Sequence, residues 1–461
     1  GHPMLFPLAI ALGADLFDSA AYAIFARDDR ILSPHGTVRL KGLNEWPIHS
    51  AALFGLTPEE VRNMDSEKRS VLLAHHNLEV TQAELARCRE AIRDGSIWQL
   101  AEQRSHVSPQ LRDAFTWVLE QLEEIPDGPV GVSTLNLMAS TDPVRGGGEK
   151  LSDDIGTRPH ILHLHTLLSM RWRLPGSWWD GSDSDPERVV LIEGATPPWR
   201  DSALGAVVSA LLEEPRSIIM LSTPLGPIPF TLEDVSPWCH LDCPDEVWLD
   251  SYEDEEIAEG LAELGLAELP LVRAEQCAMP EGNRVGDVRE WLDRCAVVDK
   301  LAVLCGVSPS DGCSLTEGMS SRRSRTDRMV NVLLEDEHIL SPRLSDGGIS
   351  LALGGARRLN ALNPGLPCRF DEPADDVSDH PGMPRVWLLD DAIPFVGRGR
   401  NVMQGYVLGA DPHLTPGQPC LVVDGNGGLI AHGTAVTTAR EMAHLKKGIA
   451  VRVRDGALRD D

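Results

Sequence analysis

The chain alternates between stretches of helical period and short apolar runs, and the mixture changes along its length. Residues 2–14 are apolar on most faces and read as a helix. ADLFD, residues 14–18, follows as a short strand buried on both sides, with Asp18 at its C-terminal end. A helix feeding such a strand is the α/β-barrel arrangement, where chemistry sits at the C-terminal ends of strands. An open α/β sheet fits the same fragment equally. TPEEVRNM at 57–64 places Thr57 as N-cap, Pro58 at the first helical position and Glu60 three residues after the cap. Helix continues over 67–76. A second capping box, Thr81 with Glu84, opens a helix that runs to Gly95, and a further helix covers 108–123. Residues 1–125 are therefore expected to be largely helical after the first strand.

Beyond that point the pattern turns to shorter units. IPDGPVGVSTL and STDPVRGGGEKLSDDIGTRP read as loops. The RVVLIEG run is a buried strand, SALGAVVSALLEE a helix and SIIMLST a second strand, a β-α-β unit within a small α/β domain over 155–262. EDEEIAEGLAELGL is an acidic helix. A third unit, 280–365, begins with helix 288–305 and continues with strands RMVNVLLED, HILSPRL and GISLAL. A linker occupies 364–384. RVWLL, GYVLGA, PCLVVDG, LIAHGTAV and IAVRVRD then form a compact barrel-like domain over 385–461.

Composition adds constraints. At 461 residues and 42% hydrophobic content, the chain is long enough for several cores. No apolar run approaches the ~18 residues of a membrane span, and the opening segment lacks the basic lead of a signal peptide. The net charge is −28, from 42 basic and 70 acidic residues. Alone, that argues against a phosphate-rich partner, and it equally suits the acidic coat of a protein kept soluble in high salt. Its distribution keeps nucleic acid open: from Arg385 onward there are 9 Lys and Arg against 8 Asp and Glu. The nine cysteines form no CxxC, and Cys239 and Cys243, with His240 between, have no second ligand pair. An odd count without a secretory signal fits a reducing cytoplasm.

Three segments together resemble a known family. GHPMLF with LFDSAAY at the start, SRRSRTDRMVNVLLEDEHILSPRLSDGGISLALGGARRL in the third unit, and DDAIPFVGRGRNVMQGYVLGADPHLTPGQPCLVVDGNG at the end resemble archaeal tRNA-guanine transglycosylases. PLGPIPFTLEDVSPWCHLDCP at 224–244 is similar to a phrase in that family's first C-terminal domain. The resemblance implies a multidomain α/β and α+β chain. It would comprise the C-terminal remnant of a TIM-like barrel, two small α/β or α+β domains, and a β-barrel PUA domain that binds RNA. It implies exchange of a guanine in the tRNA D-loop for 7-cyano-7-deazaguanine, on the way to archaeosine. It puts Asp18 on the family's nucleophile, a carboxylate that displaces the base from ribose C1′ and holds the nucleotide covalently. The competing reading makes Asp18 the cap of the next helix, since DSAA is a fair N-cap sequence.

The resemblance has two departures. The base-recognition residues and the other essential Asp lie on earlier barrel strands, so a truncated chain, a separate barrel-front subunit, or loss of catalysis enters the picture. The family's zinc site is also altered. An ungapped match puts Ile48, Ser50 and Leu53 on its three Cys positions and leaves His76, so no metal is expected there and a packed core is; His49 and His75 are poor substitutes. No cofactor is implied. A homodimer through that region is an open question. For RNA, Arg398 and Arg400 in the FVGRGRN loop join Lys446, Lys447 and Arg452, and Arg322, Arg323 and Arg325 form the densest basic cluster in the middle of the chain. Phe395 and Tyr406 are candidate stacking groups, although Tyr406 sits in strand-like sequence more typical of a core. Two alternatives stand beside the transglycosylase: a non-catalytic tRNA-binding subunit, and an archaeosine synthase-like modifier. The latter is weakened because TPPWRDSALG at 196–205 lacks that paralogue's Cys, Lys and His.

Overall fold

The computed structural model describes residues 1–18, 20–123, 148–249, 252, 254–363, 369–370 and 378–458. The first expected loop, 125–135, residues 140–147 of the second, and most of the 364–384 linker lie outside them. The described chain forms two compact units, residues 1–123 with 152–160, and residues 148–151 with 161–458.

The first unit is helical, as its periodicity predicts. Helices span Phe6–Ala11, Ala21–Arg27, Pro58–Arg62, Ser66–Asp94, Ile97–Ser105 and Pro109–Glu123. Its sheet is a hairpin of β1 (Arg30–Ser33) and β2 (Gly36–Arg39). Thr57 and Glu60 make the expected reciprocal capping box. The second box does not form. Residues 66–94 are one continuous helix in which the Thr81 hydroxyl donates back to the Asn77 carbonyl, and Glu84 turns inward to Arg104. A Thr-x-x-Glu string inside a strong helical period is not a start, because the preceding turn already satisfies the backbone donors. The helix ends at Gly95, in the left-handed conformation at φ +79°.

The strand expected at 14–18 is also absent. The segment is irregular, and Leu16 is 91% exposed. An extended segment becomes a strand only beside a neighbour that takes up its backbone hydrogen bonds, and β1 and β2 pair only with each other. The chain just beyond it is firmly held. Buried Asn77 accepts from the Leu32 amide at 2.7 Å and donates to the carbonyls of Tyr22 and Arg30, each at 3.1 Å. One amide side chain thereby clamps the Ala21–Arg27 helix and β1 onto the long helix.

In the second unit β3 (Glu149–Lys150) pairs in parallel with β7 (Leu241–Asp242), and a further sheet in the order β6-β5-β4-β8 is formed by β4 (Arg188–Ile192), β5 (Ser217–Leu221), β6 (Ile228–Pro229) and β8 (Leu271–Ala274). β4 runs parallel to both β5 and β8, and the Leu204–Glu213 helix lies on the β4–β5 crossover. Val189–Ile192 are almost fully buried, which is why the run reads as continuously apolar. The Val285–Cys305 helix packs on the Phe230–Leu232 turn and on the helix Pro309–Thr316. An antiparallel meander follows, ordered β12-β11-β10-β9, from β9 (Ser320–Arg323), β10 (Met329–Leu334), β11 (Glu337–Pro342) and β12 (Ile349–Leu351). The last element is a six-stranded, nearly closed barrel ordered β14-β18-β17-β16-β13-β15. Its strands are β13 (Arg385–Leu388), β14 (Val402–Met403), β15 (Val407–Ala410), β16 (Pro419–Val423), β17 (Leu429–Ala435) and β18 (Ile449–Gly456). Buried Arg385 ties β13 to the preceding helix, donating to the Asn363 carbonyl and, at 3.1 Å, to that of Met383.

Candidate functional site

Asp18 stands just ahead of the Ala21–Arg27 helix and does not cap it: the cap position is Ala20, with no side-chain hydrogen bond. The capping reading therefore fails. The carboxylate is 83% exposed, and its partner is the Gly1 amino group at 3.1 Å. Nearby in the chain, Phe17 packs against Phe6 with tilted rings, centres 4.6 Å apart, and His2 meets Phe25 edge-on at 5.8 Å. His2 accepts from the Met4 amide through Nδ1, which leaves Nε2–H to donate to Thr37 Oγ1 at 2.9 Å. Burial pushes this imidazole below its usual pKa. The residues GHP and FD are thus brought together, with Asp18 facing solvent.

At the positions matched to metal ligands, Leu53 is buried in a core with Ala26, Ile31, Leu40, Val61 and Leu73. Ile48 is half-buried and His49 and His75 are exposed. Buried His76 sits 2.8 Å from Ser50 Oγ, and burial lowers its pKa by disfavouring the charged imidazolium. Two apolar side chains and one hydroxyl do not make a zinc set. Zinc content measured on purified protein is expected near zero per chain, and chelator treatment is expected to leave the melting temperature unchanged. Glu102, His106 and Asp154 come within metal-ligand reach of one another. Both carboxylates are already taken, Glu102 by Arg158 and Asp154 by Arg112 at 2.5 Å.

The RNA candidates fall into two groups. In the barrel, Arg398, Arg400, Lys446, Lys447 and Arg452 are all exposed, and none has an ion-pair partner among the described residues. The fold gathers them at one edge. Asn401 accepts from the Val453 amide at 3.1 Å, and the Leu458 amide donates to the Gly397 carbonyl at 2.9 Å, so the Arg398–Arg400 loop lies along β18. The Gln404 amide donates to the Gly448 carbonyl, which brings the Lys446–Lys447 turn alongside. Arg454, on the same face of β18 as Arg452, joins them and was missed as an RNA candidate; period-two spacing from Arg452 is the signal. The glycines serve the backbone: a Cβ on Gly456 would fall 2.1 Å from the Gly397 carbonyl, and Gly399 has φ +90°. Phe395 is 65% exposed and Tyr406 45%, so Tyr406 is not the core residue that its strand-like setting suggests.

The second group divides. Arg322 and Arg325 are exposed, but Arg323 is committed to buried Asp293 and to Asp327. Asp293 also receives Arg200 at 3.0 Å, and Arg200 bonds Glu233 at 2.9 Å. Burial and neighbouring Asp234 push Glu233 up to about 7, against the pull of Arg200 and Lys300.

Sequence reasoning missed Asp299. Burial pushes it up to about 7, opposed by hydrogen bonds from Thr231 and Trp172. A carboxyl whose folded pKa lies above its unfolded value stabilises the fold at low pH, and that contribution is lost as pH rises from about 4 through 7. Asp299→Asn keeps an acceptor for Trp172 and Thr231 without the charge. It is expected to match the wild type near pH 4 and to exceed it at pH 8 by at most about 4 kcal/mol. Urea denaturation at the two pH values measures this, and equal stabilities at pH 8 would refute the raised pKa.

Comparison with known proteins gives matches along the chain. Residues 1–110 match the family model described as queuine tRNA-ribosyltransferase. Residues 309–365 match the patch-forming domain C2 of tRNA-guanine transglycosylase, and residues 384–457 a PUA domain. The tRNA-guanine(15) transglycosylase of Methanothermobacter thermautotrophicus is 29% identical over 99% of this chain and 65% of its own length. That of Thermococcus kodakarensis is 28% identical over 99% of this chain and 60% of its own. The chain thus spans less than two thirds of the length of these relatives. Among solved structures, the archaeal box H/ACA sRNP Nop10–Cbf5 complex overlaps 18% of this chain and 26% of its own at 28% identity, with a TM-score of 0.17. No helix among the described residues is long and apolar enough to cross a membrane.

Proposed function

Because the chain belongs to the archaeal tRNA-guanine(15) transglycosylase family, we propose that it acts in tRNA base exchange. Guanine in the D-loop is replaced by 7-cyano-7-deazaguanine, with Asp18 as nucleophile. The Asp18 carboxylate attacks ribose C1′, the C1′–N9 bond breaks, and guanine leaves with its electron pair and takes up a proton. The incoming base then attacks C1′, loses its N9 proton and releases the carboxylate. The observation that carries this reading is the alignment over 99% of the chain, with the transglycosylase, C2 and PUA modules in sequence. Asp18 supports it by being free of any capping role. On this reading the preceding barrel strands come from a partner subunit or a longer chain, and they supply the contacts that draw the target base out of its stack.

A second reading is a non-catalytic tRNA-positioning subunit, supported by the exposed basic edge of the barrel. Incorporation of labelled 7-cyano-7-deazaguanine into unmodified tRNA separates the two. The assay is run at high salt with this protein alone and with a protein supplying the front of the barrel. Incorporation that needs Asp18 establishes the exchange reaction. tRNA binding without incorporation under either condition leaves the positioning subunit.

In both readings the basic edge of the barrel meets the RNA backbone. Arg398→Ala and Arg400→Ala are each expected to lower the slope of log affinity against log salt by roughly 1. Filter binding across a salt series reads this out, and an unchanged slope in both variants would remove the loop from the interface.

A further inference from the structure

A cavity of about 410 Å³ opens between the 172–178 segment, the start of β5, the Phe230–Leu232 turn and the Val285–Cys305 helix. That volume lies in the range of roughly 300–1,000 Å³ typical of small-molecule sites. Its walls are aromatic. Trp178 and Trp291 lie with ring centres 6.1 Å apart, and Trp172 and Phe230 face the same space. The indole N–H groups are already used: Trp178 donates to the Ser184 carbonyl at 2.8 Å, Trp291 to that of Ser177 at 3.0 Å, and Trp172 to Asp299 Oδ2 at 3.1 Å. The rings are therefore fixed; Trp172, Trp178 and Phe230 are almost fully buried, and Trp291 is the ring among them that keeps part of its surface open.

Two polar groups on the cavity lining have unused capacity. Asp299 accepts from both Trp172 and Thr231 on the same oxygen, Oδ2, while Oδ1 has no hydrogen bond among the described residues. Arg294, five residues earlier on the same helix, has no ion-pair partner among them either. A buried carboxylate lacking a cation destabilises its protein, so an apolar residue would serve packing better at position 299. We propose that this cavity binds a free guanine-type base, its ring against the open part of Trp291, an N–H edge on Asp299 Oδ1 and its carbonyl toward Arg294. The aromatic walls select a planar ring, and the acceptor and the cation select one that carries both an N–H donor and a carbonyl. Adenine can offer its amino group to the carboxylate, but it presents a ring nitrogen rather than a carbonyl to Arg294, a weaker acceptor for a guanidinium. The inference does not rest on the exchange reaction: every residue it uses lies in the second unit, and Asp18 is not among them.

Equilibrium dialysis of the full chain against labelled guanine at pH 8, with adenine as comparator, tests it. The expected result is one saturable equivalent of guanine and at least tenfold weaker adenine. Asp299→Asn keeps its oxygen for Trp172 and Thr231 and turns an N–H₂ into the cavity, donor against donor, so guanine binding falls at least tenfold. Cys313→Trp obstructs the cavity from an exposed lining position and abolishes binding. Should Asp299→Asn fail to fold, Cys313→Trp decides alone. Asp18→Ala leaves the binding unchanged. The proposal is overturned by absence of saturable guanine binding, by equal affinity for adenine, by binding that survives both cavity variants, or by binding lost in Asp18→Ala, which would place the base in the other unit.

Discussion

Asp18→Ala is expected to lower base incorporation by at least about 10³-fold while changing tRNA affinity less than about twofold, because the nucleophile carries a covalent step and little ground-state binding. The prediction needs the complete barrel in the assay. Asp18→Asn discriminates further. It keeps shape and polarity but cannot attack C1′ as an anion, so it is expected to fall as far as alanine. Trapping makes the same point without turnover: denaturation during exchange leaves tRNA attached to the wild-type chain and to neither variant. Full incorporation by Asp18→Ala would end the nucleophile assignment. A parallel loss of tRNA affinity would make Asp18 a binding residue instead.

The largest expected effect on stability lies at Glu84. Its carboxylate receives Arg104 through two bonds, at 2.7 and 3.2 Å, with the side chains 3% and 6% exposed. Glu84→Leu strands a buried guanidinium and is expected to destabilise the first unit by about 3–5 kcal/mol. The double variant Glu84→Leu with Arg104→Met removes both charges and is expected to return to within about 1–2 kcal/mol of wild type, since desolvating the pair offsets most of its attraction. Urea denaturation of the four proteins yields the coupling. Additive losses in the double variant would show that the two side chains act separately.

How much was legible follows from which residues have local causes. The Thr57–Glu60 box, Gly95 and most strands of the two C-terminal sheets follow from short-range pattern and form as read, whereas β9 and β14 were not read. Thr81 and Glu84 misled because the same four-residue string serves as a helix start or as part of a helix interior. Only the unbroken period on both sides decides between them. ADLFD misled because apolar content predicts burial, yet a strand also needs a neighbour for its backbone groups. The barrel's basic edge was legible as a list of charges. That Arg398 and Arg400 lie alongside β18 was not, because backbone contacts such as that between Gly397 and Leu458 set it.

By itself the sequence determined the order of modules, the family likeness, the apolar substitutions at Ile48 and Leu53, and the near-neutral balance of the last domain within an acidic chain. These depend on residue type and spacing along one dimension. Tertiary structure decided that Asp18 is not a cap, that Arg323 is held by Asp293 while Arg322 stays in solvent, and that Asp299 lines an aromatic cavity. Each of these depends on which side chains, often far apart in the chain, come within a few ångströms. Burial then sets the cost of a charge, and no local pattern encodes burial at a single polar position.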